Sequence, residues 1–344
     1  MKRIVYYISD NGFGHAARGI ALIRELAKYD DIEIIIKTGQ PLEFIYSEND
    51  VGLILKNNSL KVDKLTLQKS LKEWVDSWEE LIENEGSFLR AREVDLVISD
   101  ITPWAFLVAE RVGVKSIALS NFTWYEIYQD LLGDNAIIEK IGEAYKKVGI
   151  FFQLPLNLDI TASNNLTKVG FVSRQIDNQQ VKDIKQRIGT DKKLIYVGIG
   201  KSVDSGLLTE LEFEKEADYN WLFSSGIELE EDNIYTIPKS ATQTQNYITA
   251  CDYVITKPGW TTVTESIMGR VPLLMIERDE VIEDRTVIEK VSQLGLGLSI
   301  AEEEFINLNI VDKLEQLDKL RGNFVQYENE VEKIVKEIYE CGCV

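Results

Sequence analysis

The chain has 344 residues, 44% of them hydrophobic and 28% charged, with 57 acidic against 38 basic residues and a net charge of −19. This is enough apolar material for one large or two ordinary cores, which excludes disorder as the default state. The acidic balance argues against a nucleic-acid partner and against strong membrane binding, since both need clustered cations, but it leaves room for a phosphate held by backbone amides and a few local cations.

In chain order, "RIVYYIS" (3–9) is a compact β-rich apolar run that reads as a buried strand, too short and too polar at its end for a signal peptide. The loop Gly12-Phe13-Gly14-His15 follows, then a helix with Ala16, Ile20, Ile23 and Ala27 expected on its buried face. "IEIIIKT" (32–38) is the next strand, so the chain opens with the β-loop-α-β unit of a parallel sheet. Residues 60–93 read as a charged, Trp-containing helical excursion over that sheet. "DLVISD" (95–100), a helix over 103–112 and "KSIALS" (115–120) continue the alternation, and "LDITAS" (158–163) and "TKVGFVS" (167–173) are expected to close this half.

The polar run "RQIDNQQVKDIKQRIGTDKK" begins a second unit, in which "LIYVGIGKS" (194–202) again runs a strand into a glycine loop. "YNWLFSS", "NIYTIP", "DYVITK" and "VPLLMIE" follow as short strands between loops and helices. A last helix over about 310–340 is expected to pack back onto the first half. No apolar stretch approaches the ~20 residues of a membrane span. Cys251, Cys341 and Cys343 make no disulfide framework and fit a reducing cytoplasm. The fold class is α/β: two Rossmann-like parallel-sheet domains, residues 1–172 and 173–330, face each other across a cleft, with residues 331–344 as a C-terminal helix and tail.

His15 is the only histidine of the chain. An imidazole with an unperturbed pKa near ~6.5 exchanges its proton at cellular pH. Its place at the C-terminal edge of a strand, where open α/β sheets bind ligands, favours a functional role over a structural histidine or a cap. Asp100 ends its strand at the same edge. A carboxylate on one ring nitrogen fixes the tautomer and stabilises the protonated ring, so His15 and Asp100 form a candidate dyad. Asp10 is the rival partner, and a helix cap is the alternative role for Asp100.

In "TKPGWTTVTES" (256–266), Pro258 and Gly259 break a strand, and Trp260, Thr261 and Thr262 open a helix. The unpaired N–H groups of that helix end make an anion site, and Glu265, one turn in, is placed to accept from a ribose. Gly198, Gly200 and Lys201 belong to a second loop aimed at the same cleft. It is no P-loop, because that motif would need glycine at Ile195; it reads as a cradle for the distal phosphate or as a plain turn. Glu283 and Asp284 in the acidic loop "IERDEVIEDR" (276–285) are the candidates for sugar hydroxyls. Backbone recognition of a nucleotide base is expected near Ile237 and Pro238. Asn121, Phe122, Trp124 and Tyr125 offer aromatic faces and polar tips to a sugar-like acceptor, or pack in the core, with Gly14 and Arg18 on the same side. One histidine and scattered cysteines give no soft-metal site, and no metal or cofactor is expected.

Together "GFGHAAR", "SDITP", "NFTWYEIY" (121–128) and "KPGWTTVTESIMGRVPLLMIERDEVIED" resemble the glycosyltransferase-like N-terminal region of the L-arabinokinases, in order and spacing along nearly the whole chain. The second half also resembles the donor-binding domain of GT-B glycosyltransferases, especially the family that adds N-acetylglucosamine to a peptidoglycan lipid intermediate. Gly259, Thr262 and Glu265 match that family's Gly-x-x-Thr-x-x-Glu helix, which implies that Glu265 holds the ribose. "GFGH…R" is similar to the UDP-sugar hydrolase of pseudaminic acid synthesis, whose histidine activates a nucleophile. The chain departs from the peptidoglycan family in Glu283-Asp284-Arg285, where Gln or Asn is frequent, and in lacking a basic, apolar membrane face, which points to a soluble acceptor.

The resemblance implies a metal-independent, inverting transfer from a nucleotide-diphosphate sugar, such as a UDP-sugar, to a hydroxyl acceptor, with His15 as base. Two alternatives stay open. Water could take the acceptor's place in a hydrolase or epimerase of the same fold, or the chain could be a non-catalytic nucleotide-sugar-binding protein.

Overall fold

A computed structural model describes residues 1–10, 13–39, 49–56, 61–189, 191–199, 213, 218–224, 231–278, 280–307 and 310–342. The first half runs β1 (Lys2–Tyr7), α1 (Phe13–Leu26), β2 (Ile32–Lys37), α2 (Lys64–Asp76), α3 (Trp78–Ala91), β3 (Leu96–Ser99), α4 (Trp104–Val112), β4 (Lys115–Ser120), α5 (Trp124–Leu132), α6 (Ala136–Tyr145), β5 (Ile150–Gln153) and β6 (Leu166–Lys168). Its sheet has the order β2-β1-β3-β4-β5-β6, with every pair parallel.

The second half runs α7 (Asn178–Ile188), β7 (Lys193–Gly198), β8 (Tyr219–Phe223), β9 (Ile234–Thr236), α8 (Thr244–Ala250), β10 (Tyr253–Thr256), α9 (Trp260–Gly269), β11 (Leu273–Ile276), α10 (Ile282–Gln293), β12 (Gly297–Ile300), α11 (Glu302–Ile306), α12 (Val311–Leu320) and α13 (Val331–Gly342). Its sheet is again all parallel, in the order β12-β11-β10-β7-β8-β9. The central strands are buried along nearly their whole length, as parallel strands covered on both faces must be.

Each sheet reverses its winding once, between β1 and β3 in the first and between β7 and β10 in the second. A crevice opens beyond the carboxyl ends of strands at such a point. The segments after β1, β3, β7 and β10 carry residues 10 and 13–15, 100–103, 199 and 257–259 to those two crevices. No helix among the described residues is long and apolar enough to cross a membrane.

Three local expectations differ from the structure. "LDITAS" is not a strand. Leu158, Ile160 and Ala162 alternate and are buried, but the backbone amides of Thr161 and Ala162 go to the Glu126 carboxylate (2.7 and 3.0 Å) instead of to a ladder. The fifth strand is "IFFQ", Ile150–Gln153, and only residues 166–168 of the following stretch pair with it. On α1 the buried residues are Arg18, Gly19, Ala21, Leu22 and Leu26, while Ile20 is 37% exposed. A count of apolar residues misses that set, because it begins with an arginine and a glycine. The last helix is two helices, α12 and α13, separated by the crossing segment 324–330.

That crossing sits beside the other interlobe connection. Phe171 bridges Asn329 in parallel, the Glu330 amide donates to the Phe171 carbonyl (2.9 Å), and the Gly170 amide donates to the Glu330 carboxylate (2.7 Å). The Asn329 side-chain amide donates to the Ser173 carbonyl (2.7 Å). α13 then packs on α1, with Tyr339 stacked on Tyr29 (4.5 Å between centroids) and its hydroxyl donating to Asp31 (2.9 Å).

At Gly297 a Cβ would meet the Leu273 carbonyl oxygen at 2.8 Å and Val291 Cγ1 at 3.0 Å. Gly297→Ala should therefore cost about 1–3 kcal/mol of stability through overpacking. Urea denaturation of the full chain reads this directly, and an unchanged midpoint would refute the close β11–β12 packing.

Candidate active site

β1 and β3 are neighbours in register, with Tyr7 opposite Ser99, and the Asp100 amide donates to the Tyr7 carbonyl (3.1 Å). The first turn of α1 and the residue after β3 are thereby forced together. His15 Nδ1 lies 2.6 Å from Asp100 Oδ2 and 2.9 Å from Oδ1. Arg18, one turn further along α1, donates from Nη2 to Asp100 Oδ1 at 2.6 Å. Asp100 has no exposed surface and Arg18 is 3% exposed, while the His15 side chain keeps 12%. Burial alone would raise the Asp100 carboxyl, but Arg18 and then His15 outweigh it and hold the group below the usual carboxylate range. An ionised carboxylate on Nδ1 draws the ring proton there and leaves Nε2 as the acceptor. Phe122 stands edge-on to the ring, 6.2 Å between centroids.

Asp10 is engaged elsewhere. Its carboxylate receives the Asn49 amide (3.0 Å), the Gly39 amide and the Thr38 hydroxyl (3.3 Å), so it clamps the chain after β2. Asp50 is a nearby acid that sequence reasoning passed over. It is 8% exposed, and burial pushes its carboxyl up to about 6 against the pull of Ser9 and His15. No motif marked it.

Across the cleft, Gly259 is the N-cap of α9 and makes no side-chain cap, so the cap residue itself does not satisfy the first amides of that helix. The Thr261 hydroxyl donates to the Gly14 carbonyl at 2.9 Å, joining the two lobes beside His15. A Cβ on Gly14 would stand 3.1 Å from that hydroxyl oxygen, so glycine permits the approach. Trp260 donates through Nε1 to the Pro155 carbonyl (2.6 Å), and its ring lies 5.3 Å from the Arg18 guanidinium carbon. Lys257, also missed in the sequence, lays its side chain along Gly259, with Cε 3.8 Å from where a Cβ would be. Burial and then Arg278 push its ammonium down to about 8, against Asp284 and Glu283. Its place one residue before the Pro-Gly break was the available signal.

Glu265 is 3% exposed and faces Arg174, whose Nε (2.8 Å) and Nη2 (2.7 Å) both reach Oε1. Arg174 also donates to the Thr242 carbonyl (2.9 Å) and the Thr244 hydroxyl (2.7 Å). Burial raises the Glu265 carboxyl, with Arg174 opposing. Asp284, expected with Glu283 to meet sugar hydroxyls, is 1% exposed and both its oxygens are held by Arg278, Oδ1 at 2.8 Å. Glu283 instead reaches the other lobe and accepts from the Asn121 side-chain amide (3.0 Å). Asn121 in turn accepts from Arg18 Nη1 at 3.4 Å, so one chain of polar contacts runs Glu283, Asn121, Arg18, Asp100, His15.

The other selected residues lie as follows. Ile237 is buried with its amide donating to the Phe223 carbonyl (2.9 Å), and the Pro238 carbonyl accepts from Ala241 (2.8 Å), so two of the backbone groups expected to read a base are engaged. The Gly198 carbonyl accepts from the Thr256 hydroxyl (2.7 Å). Thr262 is half-buried in the first turn of α9. Gly12, Gly200 and Lys201 lie outside the described residues. Trp124 is 2% exposed and stacked on Tyr128 (5.1 Å). The Tyr125 ring packs on α6, where a Cβ on Gly142 would come within 2.7 Å of it, so it does not join the group around His15.

Two facing parallel sheets with this cleft define a GT-B fold, the fold of the glycosyltransferase structures to which the chain is similar. Residues 2–148 match the family model described as glycosyl transferase family 1. The chain is 27% identical over 301 residues to L-arabinokinase of Arabidopsis thaliana, covering 80% of this chain and 28% of that protein. It is 27% identical over 162 residues to the UDP-N-acetylglucosamine–N-acetylmuramyl-(pentapeptide) pyrophosphoryl-undecaprenol N-acetylglucosamine transferase of Thermosipho melanesiensis, covering 45% and 48%. The chain thus spans half or less of the length of these curated relatives. Among solved structures it is similar to the calicheamicin glycosyltransferase CalG4 (TM-score 0.65, 14% identity, 100% of both chains). It is also similar to Arabidopsis thaliana UGT89C1 complexed with UDP (TM-score 0.64, 16% identity, 100% of both).

The Arg174–Glu265 pair yields a stability test. Arg174→Met leaves a buried carboxylate unpaired and should cost about 3–5 kcal/mol at neutral pH, whereas the double variant with Glu265→Leu should recover most of that loss. Urea unfolding of the two single variants and the double variant completes the cycle; additive losses would show that the two groups do not depend on each other.

Proposed function

We propose that the chain is a metal-independent, inverting glycosyltransferase that moves a sugar from a nucleotide-diphosphate donor to a soluble hydroxyl acceptor in the cytoplasm. The observation that carries this reading is the contact of the Gly14 carbonyl, next to His15, with Thr261 at the uncapped end of α9. It brings a base already paired to a carboxylate up to a ready anion site. The UDP complex of the similarly folded UGT89C1 makes UDP and UDP-sugars the first donors to try.

In this reading Nε2 of His15 takes the proton of the acceptor hydroxyl. The acceptor oxygen attacks the anomeric carbon, the bond from that carbon to the diphosphate oxygen breaks with its electron pair, and the configuration inverts. Asp100 steadies the imidazolium that forms. The first-turn amides of α9 and the Lys257 ammonium meet the charge growing on the leaving diphosphate. A helix N-terminus contributes roughly 0.3–1 kcal/mol to such a charge when exposed and up to ~2 when partly buried. The free oxygen of Glu265 takes a ribose hydroxyl. Glu283 exchanges its Asn121 contact for hydroxyls of the sugar, and Asn121 and Phe122 border the acceptor.

His15→Ala should lower turnover by ~10²–10⁴ while leaving donor affinity little changed. Product analysis with UDP-sugars, with and without hydroxyl acceptors, checks it; intact turnover would remove His15 from the role of base. Free sugar formed at the same rate with and without acceptors would make water the nucleophile. Donor stabilisation in a thermal-shift panel without turnover would make the chain a binding protein. Lys257 adds a pH test. Its ammonium form prevails below about 8, so UDP affinity should fall as pH rises through that value. Lys257→Met should weaken binding below that pH and flatten the trend, as calorimetric titration with UDP would show.

A further inference from the structure

Arg18 was selected with the acceptor-side residues, but its guanidinium is buried within the dyad. It is 3% exposed and donates to Asp100 Oδ1 at 2.6 Å, and the same nitrogen lies 3.1 Å from His15 Nδ1. Its other nitrogens are poorly satisfied. Nη1 reaches Asn121 at 3.4 Å, and Nε is buried with no hydrogen-bond partner. A buried donor left unsatisfied costs stability, so fold stability alone is a poor reason for a guanidinium here.

We propose that Arg18 is the positioning residue of the dyad: by holding one oxygen of Asp100 it turns the other onto Nδ1 of His15 and keeps the ring's single proton there, so that Nε2 is presented to the acceptor. The proposal rests on the reading of His15 as base and adds the group that decides its proton arrangement. Both carboxylate oxygens lie within reach of Nδ1, and Arg18 engages Oδ1, leaving Oδ2 in the shorter contact with the ring. Among the described residues, the carboxyls of Asp100, Asp50 and Glu283 each interact with the ring, and the Arg18 guanidinium, 3.1 Å from Nδ1, is the cation set against them. Three carboxyls alone would favour a doubly protonated ring, which is useless as a base. A guanidinium stays charged at every accessible pH, so its opposition is constant. Arg18 is also braced from the donor lobe, by the Trp260 ring and, through Asn121, by Glu283. The proton arrangement of the base thereby depends on the lobes being closed.

The single histidine makes the test direct, because the imidazole nitrogens of the full-length chain give one set of ¹⁵N signals. In the wild type the proton should sit on Nδ1. In Arg18→Met the ring should take up its second proton at a pH higher by roughly one unit or more. Arg18→Gln, which keeps an N–H donor without the charge, should show the same displacement, and it serves if the Met variant fails to fold. Arg18→Lys should restore most of the wild-type titration. If turnover is found, the neutral variants should lose on the order of 10²-fold in kcat with donor KM within about twofold, and their activity should fail at a higher pH on the acid side. A wild-type proton on Nε2, or a titration unmoved in both neutral variants, overturns the proposal while leaving His15→Ala to judge the base. A displaced titration in a chain without turnover keeps Arg18 as the positioning group and removes the transferase reading.

Discussion

The site depends on one fully buried carboxylate. An ionised Asp100 with no exposed surface is tolerable only if cations or strong donors meet it, and the structure supplies Arg18 and His15 from a single turn of helix. That requirement fixes much else. α1 must start directly after β1 and face the end of β3, which the β1–β3 register provides. Residue 14 must be small, because the Thr261 hydroxyl comes to its carbonyl from the other lobe. The cleft is therefore held by interlocking constraints: a buried charge on one side, and on the other a helix end with no side chain to cap it.

Much of this was legible in the sequence, for identifiable reasons. Parallel strands covered on both faces are short apolar runs, so β1, β3, β4 and β10 announced themselves. The residues at their carboxyl ends could then be assigned to one crevice. His15 and Asp100 were found in this way, and so was the Gly259–Thr262 turn. What escaped had no local pattern. Alternating burial at 158–163 looks like a strand until Glu126, distant in sequence, takes its amides. Arg174 opens the polar run that begins the second unit, and only the tertiary structure brings it to Glu265. Asp284 looked as exposed as Glu283 because the Arg278 side chain that covers it is an equally plausible surface group. Arg18 was assigned to the acceptor side, and its burial against Asp100 was not foreseen, since no spacing rule says that an arginine will be buried against a carboxylate.

The charge balance sharpens the electrostatic picture. A chain of net charge −19 repels an anionic ligand at long range, but salt screens exposed charges beyond about 8 Å. Inside the cleft the nearest groups decide, and there Lys257, Arg278, Arg18 and the α9 amides stand against Glu283, Asp284 and Asp100. Glu283, Asp284 and Asp100 each meet a cation or an amide, and burial raises the carboxyls of Glu265, Glu283 and Asp50. The arrangement suits a ligand carrying both negative charge and hydroxyl groups.

The two chain crossings between the lobes, paired at Phe171 and Asn329, have a mechanical consequence. Because the two crossings are tied to each other, neither can shift alone, and any relative movement of the lobes must be taken up where they run together. The Gly14–Thr261 contact joins the same two lobes, so it must break before the cleft can open.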